Sequence, residues 1–112
     1  MDEGIYIAYV TGELGYSAIL FVLRNNRITG ADVGGLKYSG RYKTTKDSLA
    51  GFLQTEFPAG VESITGYENS YVSKKVDIPF EIKFSSIGTG YIRIESPIGV
   101  VTASIQKVQE LP

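Results

Sequence analysis

The most informative stretch of this chain is NRITGADVGGLKYSGRY, residues 26–42. Asparagine tolerates positive φ, so Asn25-Asn26 can form a two-residue hairpin turn into a strand that begins near residue 27. The Gly34-Gly35 pair then turns the chain a second time. These residues predict two short antiparallel strands, 27–33 and 36–44, joined by a glycine-rich corner.

The second of these strands alternates between two kinds of side chain. One face carries Leu36, Tyr38, Gly40 and Tyr42, and the other carries Lys37, Ser39, Arg41 and Lys43. A period of two is typical of a strand with one buried and one solvated face. We therefore expect the two tyrosines to point into the core.

Turn residues recur at short intervals along the rest of the chain, without convincing helical periodicity. The clearest alternation places one apolar set on a single face: Val76, Ile78, Phe80, Ile82 and Phe84. Pro79 lies on the opposite face and lacks an N–H, which indicates a sheet edge or a bulge. Together the patterns predict strands near residues 4–11, 16–24, 27–33, 36–44, 49–57, 75–84, 90–96 and 100–108.

Sequential short strands leave exposed edges unless the sheet closes on itself. We therefore predict an all-β chain with a single domain, residues 1–112, folded as an antiparallel eight-stranded up-and-down barrel; a flattened two-sheet sandwich is the alternative. Such a barrel holds side chains or one small ligand. The candidate interior residues are Tyr6, Tyr38, Tyr42, Phe80 and Phe84. Residues 58–73 are predicted to form one long loop, and Val61 and Ile64 suggest that it packs over one end of the barrel.

The composition excludes several classes of chemistry. The 112 residues include no cysteine and no histidine, which removes disulfides, thiolate zinc sites, cysteine nucleophiles and imidazole acid–base catalysis. Asp77, Glu81 and Glu95 are predicted to point outward, away from any buried site for glycosidase-type catalysis. We therefore expect a protein that is not an enzyme and uses no metal or cofactor.

Charge and hydropathy also limit the partners. With 11 basic and 12 acidic residues the net charge is −1, so no overall field attracts a polyanion. The apolar run from Ala18 to Leu23 is far shorter than the ~20 residues of a membrane span, and Met1-Asp2-Glu3-Gly4 lacks a basic leader. The expectation is a soluble cytoplasmic protein that does not bind nucleic acid or membranes directly.

Three motifs in the first 42 residues resemble a known family. Gly4-Ile5-Tyr6, Ile28-Thr29-Gly30-Ala31-Asp32 and Tyr38-Ser39-Gly40 are similar to the signature of the GrlR-like negative regulators of type III secretion genes. The resemblance implies a lipocalin-like barrel that sequesters a transcriptional activator by protein contact. Within this signature turn, Gly30, Asp32 and Gly40 match, whereas Ala31 replaces a second glycine. We expect Asp32 to accept N–H bonds at the Gly34-Gly35 corner.

The chain departs from the family pattern at the turn after the fourth strand. The acidic turn through which the best-known member grips its activator corresponds to Thr44-Thr45-Lys46-Asp47, where only Asp47 is acidic. A grip made by several carboxylates is therefore lost. We predict a different protein contact at the candidate partner surface, which comprises Arg41, Lys43, Thr44, Thr45, Lys46 and Asp47. Exposed tyrosines such as Tyr16, Tyr67 or Tyr91 are expected to supply anchors.

Two functions stay open on the sequence alone. One is a protein-binding regulator, and the other is a lipocalin-like carrier or sensor of a small apolar ligand in the barrel. A carrier needs an apolar cavity of several hundred Å³, whereas a regulator needs an exposed patch. Both faces of the first strand are apolar: Tyr6, Ala8 and Val10 on one side, and Ile5, Ile7 and Tyr9 on the other. A barrel can bury only one of these sets, so we predict that a symmetric homodimer covers the other.

Overall fold

A computed structural model describes residues 3–13, 15–57, 61–62, 68–69, 74–96 and 99–112. Its strands are β1 (Gly4–Gly12), β2 (Gly15–Arg24), β3 (Arg27–Asp32), β4 (Lys37–Thr44), β5 (Ser48–Phe57), β6 (Val61–Glu62), β7 (Glu68–Asn69), β8 (Lys74–Lys83), β9 (Ile92–Ser96) and β10 (Gly99–Gln109). Residues Phe84–Ser86 form a single 3₁₀ turn. The eight predicted strands are confirmed, and each end lies within about two residues of its predicted position. The side-chain packing predicted for Val61 and Ile64 lies outside the described residues.

The eight main strands form one antiparallel sheet in the order β8-β5-β4-β3-β2-β1-β10-β9. Strands β6 and β7 pair separately with each other. The outer strands β8 and β9 contact each other, so the sheet is a nearly closed barrel. This confirms the predicted up-and-down barrel over the sandwich. Pro79 lies on β8, which ends the sheet order, as its missing N–H indicated.

The inner faces of the strands form the core. Buried side chains from seven strands make one continuous cluster: Tyr6, Ala8, Val10, Ile19, Leu23, Ile28, Tyr42, Leu49, Ile82, Ala103 and Ile105. Of the candidate interior residues, Tyr6 and Tyr42 are buried within this cluster, and Tyr38, Phe80 and Phe84 are partly buried against it. Ala103 is 0% exposed. The alternation read from the sequence therefore assigns the inner faces of these strands correctly.

Two glycines on the inner side let β4 and β5 approach closely. A Cβ on Gly40 would overlap the carbonyl oxygen of Phe52, and a Cβ on Gly51 would overlap that of Arg41. Glycine in a strand often marks such a close backbone approach or a bend. Because the glycines face inward, the residues that flank them, Arg41 and Phe52, lie on the outer face as direct neighbours.

In the described part of the chain, no helix is long and apolar enough to span a bilayer.

Candidate functional site

The turn between β4 and β5 is held by its own hydrogen bonds. The Thr45 N–H donates to the Ser48 carbonyl oxygen at 2.8 Å, and the Ser48 N–H donates to Thr45 Oγ1 at 3.2 Å. The two hydroxyl oxygens are 2.8 Å apart. The Phe84 N–H donates to the Asp47 carbonyl oxygen at 3.0 Å, which ties the turn to the 3₁₀ segment. Lys46 is therefore presented from an internally bonded turn.

The structure brings the whole candidate partner surface together at one end of the barrel. Arg41 and Lys43 project from the outer face of β4, and Thr44–Asp47 continue into the turn. All six residues are exposed. The surface is thus accessible along its length, as a contact site for a partner requires.

Arg41 also belongs to a row of basic residues that the sequence analysis missed. Cross-strand pairing sets Arg24 of β2 opposite Arg27 of β3, and Arg27 opposite Arg41 of β4. We call Arg24, Arg27 and Arg41 the arginine row. All three are exposed. Directly opposed residues have Cβ atoms about 4.5–5.5 Å apart, so the three cationic side chains are neighbours.

The hairpin between β2 and β3 creates the first half of this row. Asn25 and Asn26 have positive φ values of 53° and 62°, the left-handed conformation that a two-residue hairpin loop needs. Such a loop places Arg24 directly across from Arg27. The Tyr42 N–H donates to the Asn26 carbonyl oxygen at 3.0 Å, which ties this turn to β4. The sequence RNNR at 24–27 already contained this signal.

No acidic residue of the described chain forms an ion pair with the arginine row. The ion pairs found there are Arg93–Glu95 at 3.4 Å and Lys107–Glu110 at 2.6 Å, on β9 and at the end of β10. Glu3, near the same hairpin, accepts the Asn25 N–H at 2.6 Å through Oε2. Like charges directly opposite on a sheet are destabilising. No ion pair among the described residues offsets the charge of the row, and its directly opposed pairs are therefore expected to cost stability.

The aromatic side chain beside this charge is Phe52. It lies opposite Arg41 on β5, and its outer neighbour on β8 is Pro79. Phe52 is 44% exposed, which is high for a phenylalanine on a sheet. Tyr16 is 84% exposed but lies at the far end of β2, eight residues or ~26 Å from Arg24. Tyr67 lies outside the described residues.

The signature turn has structural roles at all of its positions. Asp32 Oδ1 accepts the N–H groups of Gly34 and Leu36, both at 2.9 Å, and Oδ2 accepts the Tyr38 hydroxyl at 3.1 Å. Asp32 therefore has the turn role predicted for it. A Cβ on Gly30 would come within 2.6 Å of the Phe21 ring. Burial, and next the Asp32 carboxylate, raise the pKa of Tyr38 above its ordinary value.

The polar groups buried in the described part of the barrel are paired within the protein. Among the described residues, every buried side-chain nitrogen or oxygen has a hydrogen-bond partner. Thr55, for example, donates to the Lys37 carbonyl oxygen at 2.8 Å. On the outer face of the sheet, an open depression of about 150 Å³ is lined mostly by exposed residues: Lys37, Ser39, Gln54, Thr55, Glu56 and Lys75. Its volume is below the roughly 300–1,000 Å³ of typical ligand pockets.

Among the described residues, no three or more acidic side chains form a group that could hold a metal ion. No family model, no curated protein and no solved structure matches this chain. The resemblance to GrlR-like regulators therefore stays a prediction from the three motifs.

Proposed function

We propose that this protein is a non-enzymatic regulator that binds and sequesters a protein partner, such as a transcriptional activator. The observation that carries the proposal is the difference between the two faces of the sheet. The inner face is a continuous apolar cluster, with no unpaired buried polar atom in the described chain. The outer face at β2–β5 carries exposed, uncompensated cations beside an exposed aromatic ring.

The candidate partner surface suits recognition by contact because it is largely pre-formed. Its turn is closed by the Thr45–Ser48 hydrogen bonds, and its strands are held by the β3-β4-β5 ladders. Pre-organised surfaces lose less conformational entropy on binding. Uncompensated charge adds specificity and raises the association rate. A partner held here is withdrawn from its own targets, which is sequestration without chemistry.

The carrier hypothesis has weaker support. Its basis is the barrel topology and the partly buried rings of Tyr38, Phe80 and Phe84 at the core. A carrier depends on interior space, so Ala103→Val, at a side chain that is 0% exposed, should impair ligand uptake in a carrier. The same variant should leave partner binding by a contact regulator intact. Loss of regulation in a folded Ala103→Val protein would favour the carrier.

A symmetric homodimer is part of the proposal. On the outer faces of β1 and β2, Ile7 lies opposite Leu20, and Tyr9 lies opposite Ala18. Leu20 is 48% exposed and Tyr9 51%, and no charged residue lies between them in these pairs. A second copy of the chain, related by a two-fold axis, would cover such a patch. Leu20→Glu should shift the sedimentation equilibrium toward monomer; a wild-type monomer at high micromolar concentration would contradict the dimer.

The function is tested by capture from the native cell. Tagged full-length protein is cross-linked and purified, and its partners are identified by mass spectrometry. Recovery of cytoplasmic proteins would also support the proposed cytoplasmic location. Lys43→Glu with Lys46→Glu should reduce recovery of a specific partner. Lys37→Glu with Lys75→Glu, which reverses two exposed charges outside this surface, is the matched control. Melting temperatures should barely change, because exposed charges contribute little to stability. Equal recovery by all variants would remove this surface from the proposal.

A further inference from the structure

We infer that the arginine row binds an acidic α-helical segment of a protein partner. This inference rests on the proposed function and adds the chemistry of the partner. Its basis is the spacing of the row, the chemistry of guanidinium groups and the limits of the positive surface. Each of these bears on a different property of the bound segment.

The row offers a regular ladder of contacts across four strands. Arg24, Arg27, Arg41 and Phe52 occupy paired positions on β2, β3, β4 and β5. Neighbouring strands are ~4.8 Å apart, so three cations and one ring follow each other over ~14 Å. A ligand that matches this pattern carries three anionic groups at short, even intervals and then an apolar group.

An α-helix lying across the strands meets this requirement. Side chains at i, i+4 and i+7 lie on one helix face about 5–6 Å apart. An apolar residue at i+11 lies ~16 Å along the helix from the first, close to the position of Phe52. An extended segment places same-face residues about 6.6–6.8 Å apart and loses register with the row by its third acidic residue. The spacing therefore favours a helix.

The chemistry of the row points to carboxylates. Arginine presents a planar fork of donors that matches a carboxylate, and its charge persists at all physiological pH values. Without an ion pair to the described residues, the three side chains are available for such contacts. Phe52 adds an apolar contact at the end of the ladder.

The surroundings of the row argue against a nucleic acid. On β8, Asp77 and Glu81 flank Pro79, and both are exposed on the outer face. Asp77 accepts a hydrogen bond from Gln54 Nε2 at 2.9 Å, and the Gln54–Asp77 pair lies next to the Phe52–Pro79 pair on the outer face. A long polyanion that continued past Phe52 would meet these carboxylates. A short acidic helix ends before them.

The test uses a labelled helical peptide with glutamates at i, i+4 and i+7 and leucine at i+11. Its affinity for the full-length protein is measured by fluorescence anisotropy, beside a scrambled peptide of equal charge and an oligothymidine strand. The row variant combines Arg24→Gln, Arg27→Gln and Arg41→Gln. The control combines Lys37→Gln, Lys75→Gln and Arg93→Gln, which removes the same charge from exposed sites elsewhere.

We expect the patterned peptide to bind with a salt-dependent affinity that the row variant lowers by at least about tenfold. The control variant should lower it less than about threefold, and circular dichroism should show both variants folded. Equal binding of the scrambled peptide, an equal loss in the control, or tighter row-dependent binding of oligothymidine would each overturn the inference.

The same variants separate this inference from the proposed function. If a native partner is captured equally by wild type and by the row variant, the acidic-helix inference falls and the regulator stands. If the patterned peptide binds through the row but no specific native partner is captured by any version, the inference stands and the regulator falls. A partner captured by wild type but lost in the row variant supports both.

Discussion

Replacing Arg27 by glutamine should make the protein more stable. Arg27 is the central member of the arginine row and lies directly opposite both Arg24 and Arg41. Glutamine keeps part of the aliphatic stem and removes the charge, so the substitution relieves two like-charge contacts at once. Most surface substitutions have little effect or destabilise, which makes a gain in stability a specific expectation.

The size of the gain follows from the geometry of the row. A like-charge pair directly opposite on a sheet costs roughly 0.2–1 kcal/mol, so two pairs cost about 0.4–2 kcal/mol at low salt. For a domain of this size, 1 kcal/mol shifts the melting temperature by about 4 °C, so a rise of about 2–8 °C is expected. At ~1 M salt the Debye length falls to about 3 Å, and most of the gain should disappear.

Thermal unfolding followed by circular dichroism at low and high salt measures this effect. Arg93→Gln is the control, because Arg93 is also an exposed strand residue but lies opposite Thr102 and forms an ion pair with Glu95 at 3.4 Å. The control should not gain stability. A lower melting temperature for Arg27→Gln, or an equal gain at both salt concentrations, would refute the idea that repulsion between the arginines lowers the stability of the protein.

Three further predictions concern the fold. In urea denaturation, Gly40→Ala should lower the free energy of unfolding by more than about 2 kcal/mol, since its Cβ would overlap the Phe52 carbonyl oxygen. The control is Gly34→Ala, whose Cβ would meet only a carboxylate oxygen at 3.4 Å. Equal losses in the two variants would contradict this reasoning. Tyr6→Ala should lower the same free energy by about 3–5 kcal/mol, because the ring is 3% exposed; a loss below about 1 kcal/mol would contradict a tightly packed interior. The pKa of Tyr38 is raised in the folded state, whereas an unfolded tyrosine ionises near pH 10, so stability is retained below pH ~10 and falls as the pH rises above it. Tyr38→Phe should reduce that alkaline loss in pH-dependent melts, and an unchanged loss would assign it to other groups.

The strand pattern could be predicted because each strand has one inner and one outer face. Alternation alone placed Tyr42 and Ile82 inside and Lys43 and Glu81 outside, and each has the predicted exposure. The turns carried equally local signals, such as the two asparagines at 25–26 with positive φ. Closure then followed from the need to remove sheet edges.

The arginine row could not be found in the same way, because it depends on register between strands. Arg24 and Arg27 are linked by a local hairpin, but Arg41 joins them only through the pairing of β3 with β4. Phe52 likewise becomes the neighbour of Arg41 only through the pairing of β4 with β5. Its outward position follows from Gly40 and Gly51, which let the two backbones approach on the inner side.

The roles of the signature residues bear on what the family resemblance can predict. Gly30 leaves space for the Phe21 ring, Asp32 fixes the turn by accepting two backbone N–H groups at Oδ1, and Gly40 allows the close approach of β4 to β5. All three requirements come from folding rather than from binding. Two barrels can therefore share this signature and still recognise different partners, since the outer side chains are free to differ. In this chain the outer face carries three neighbouring arginines whose mutual repulsion a ligand of opposite charge would relieve, which is why partner chemistry should be sought on the acidic side.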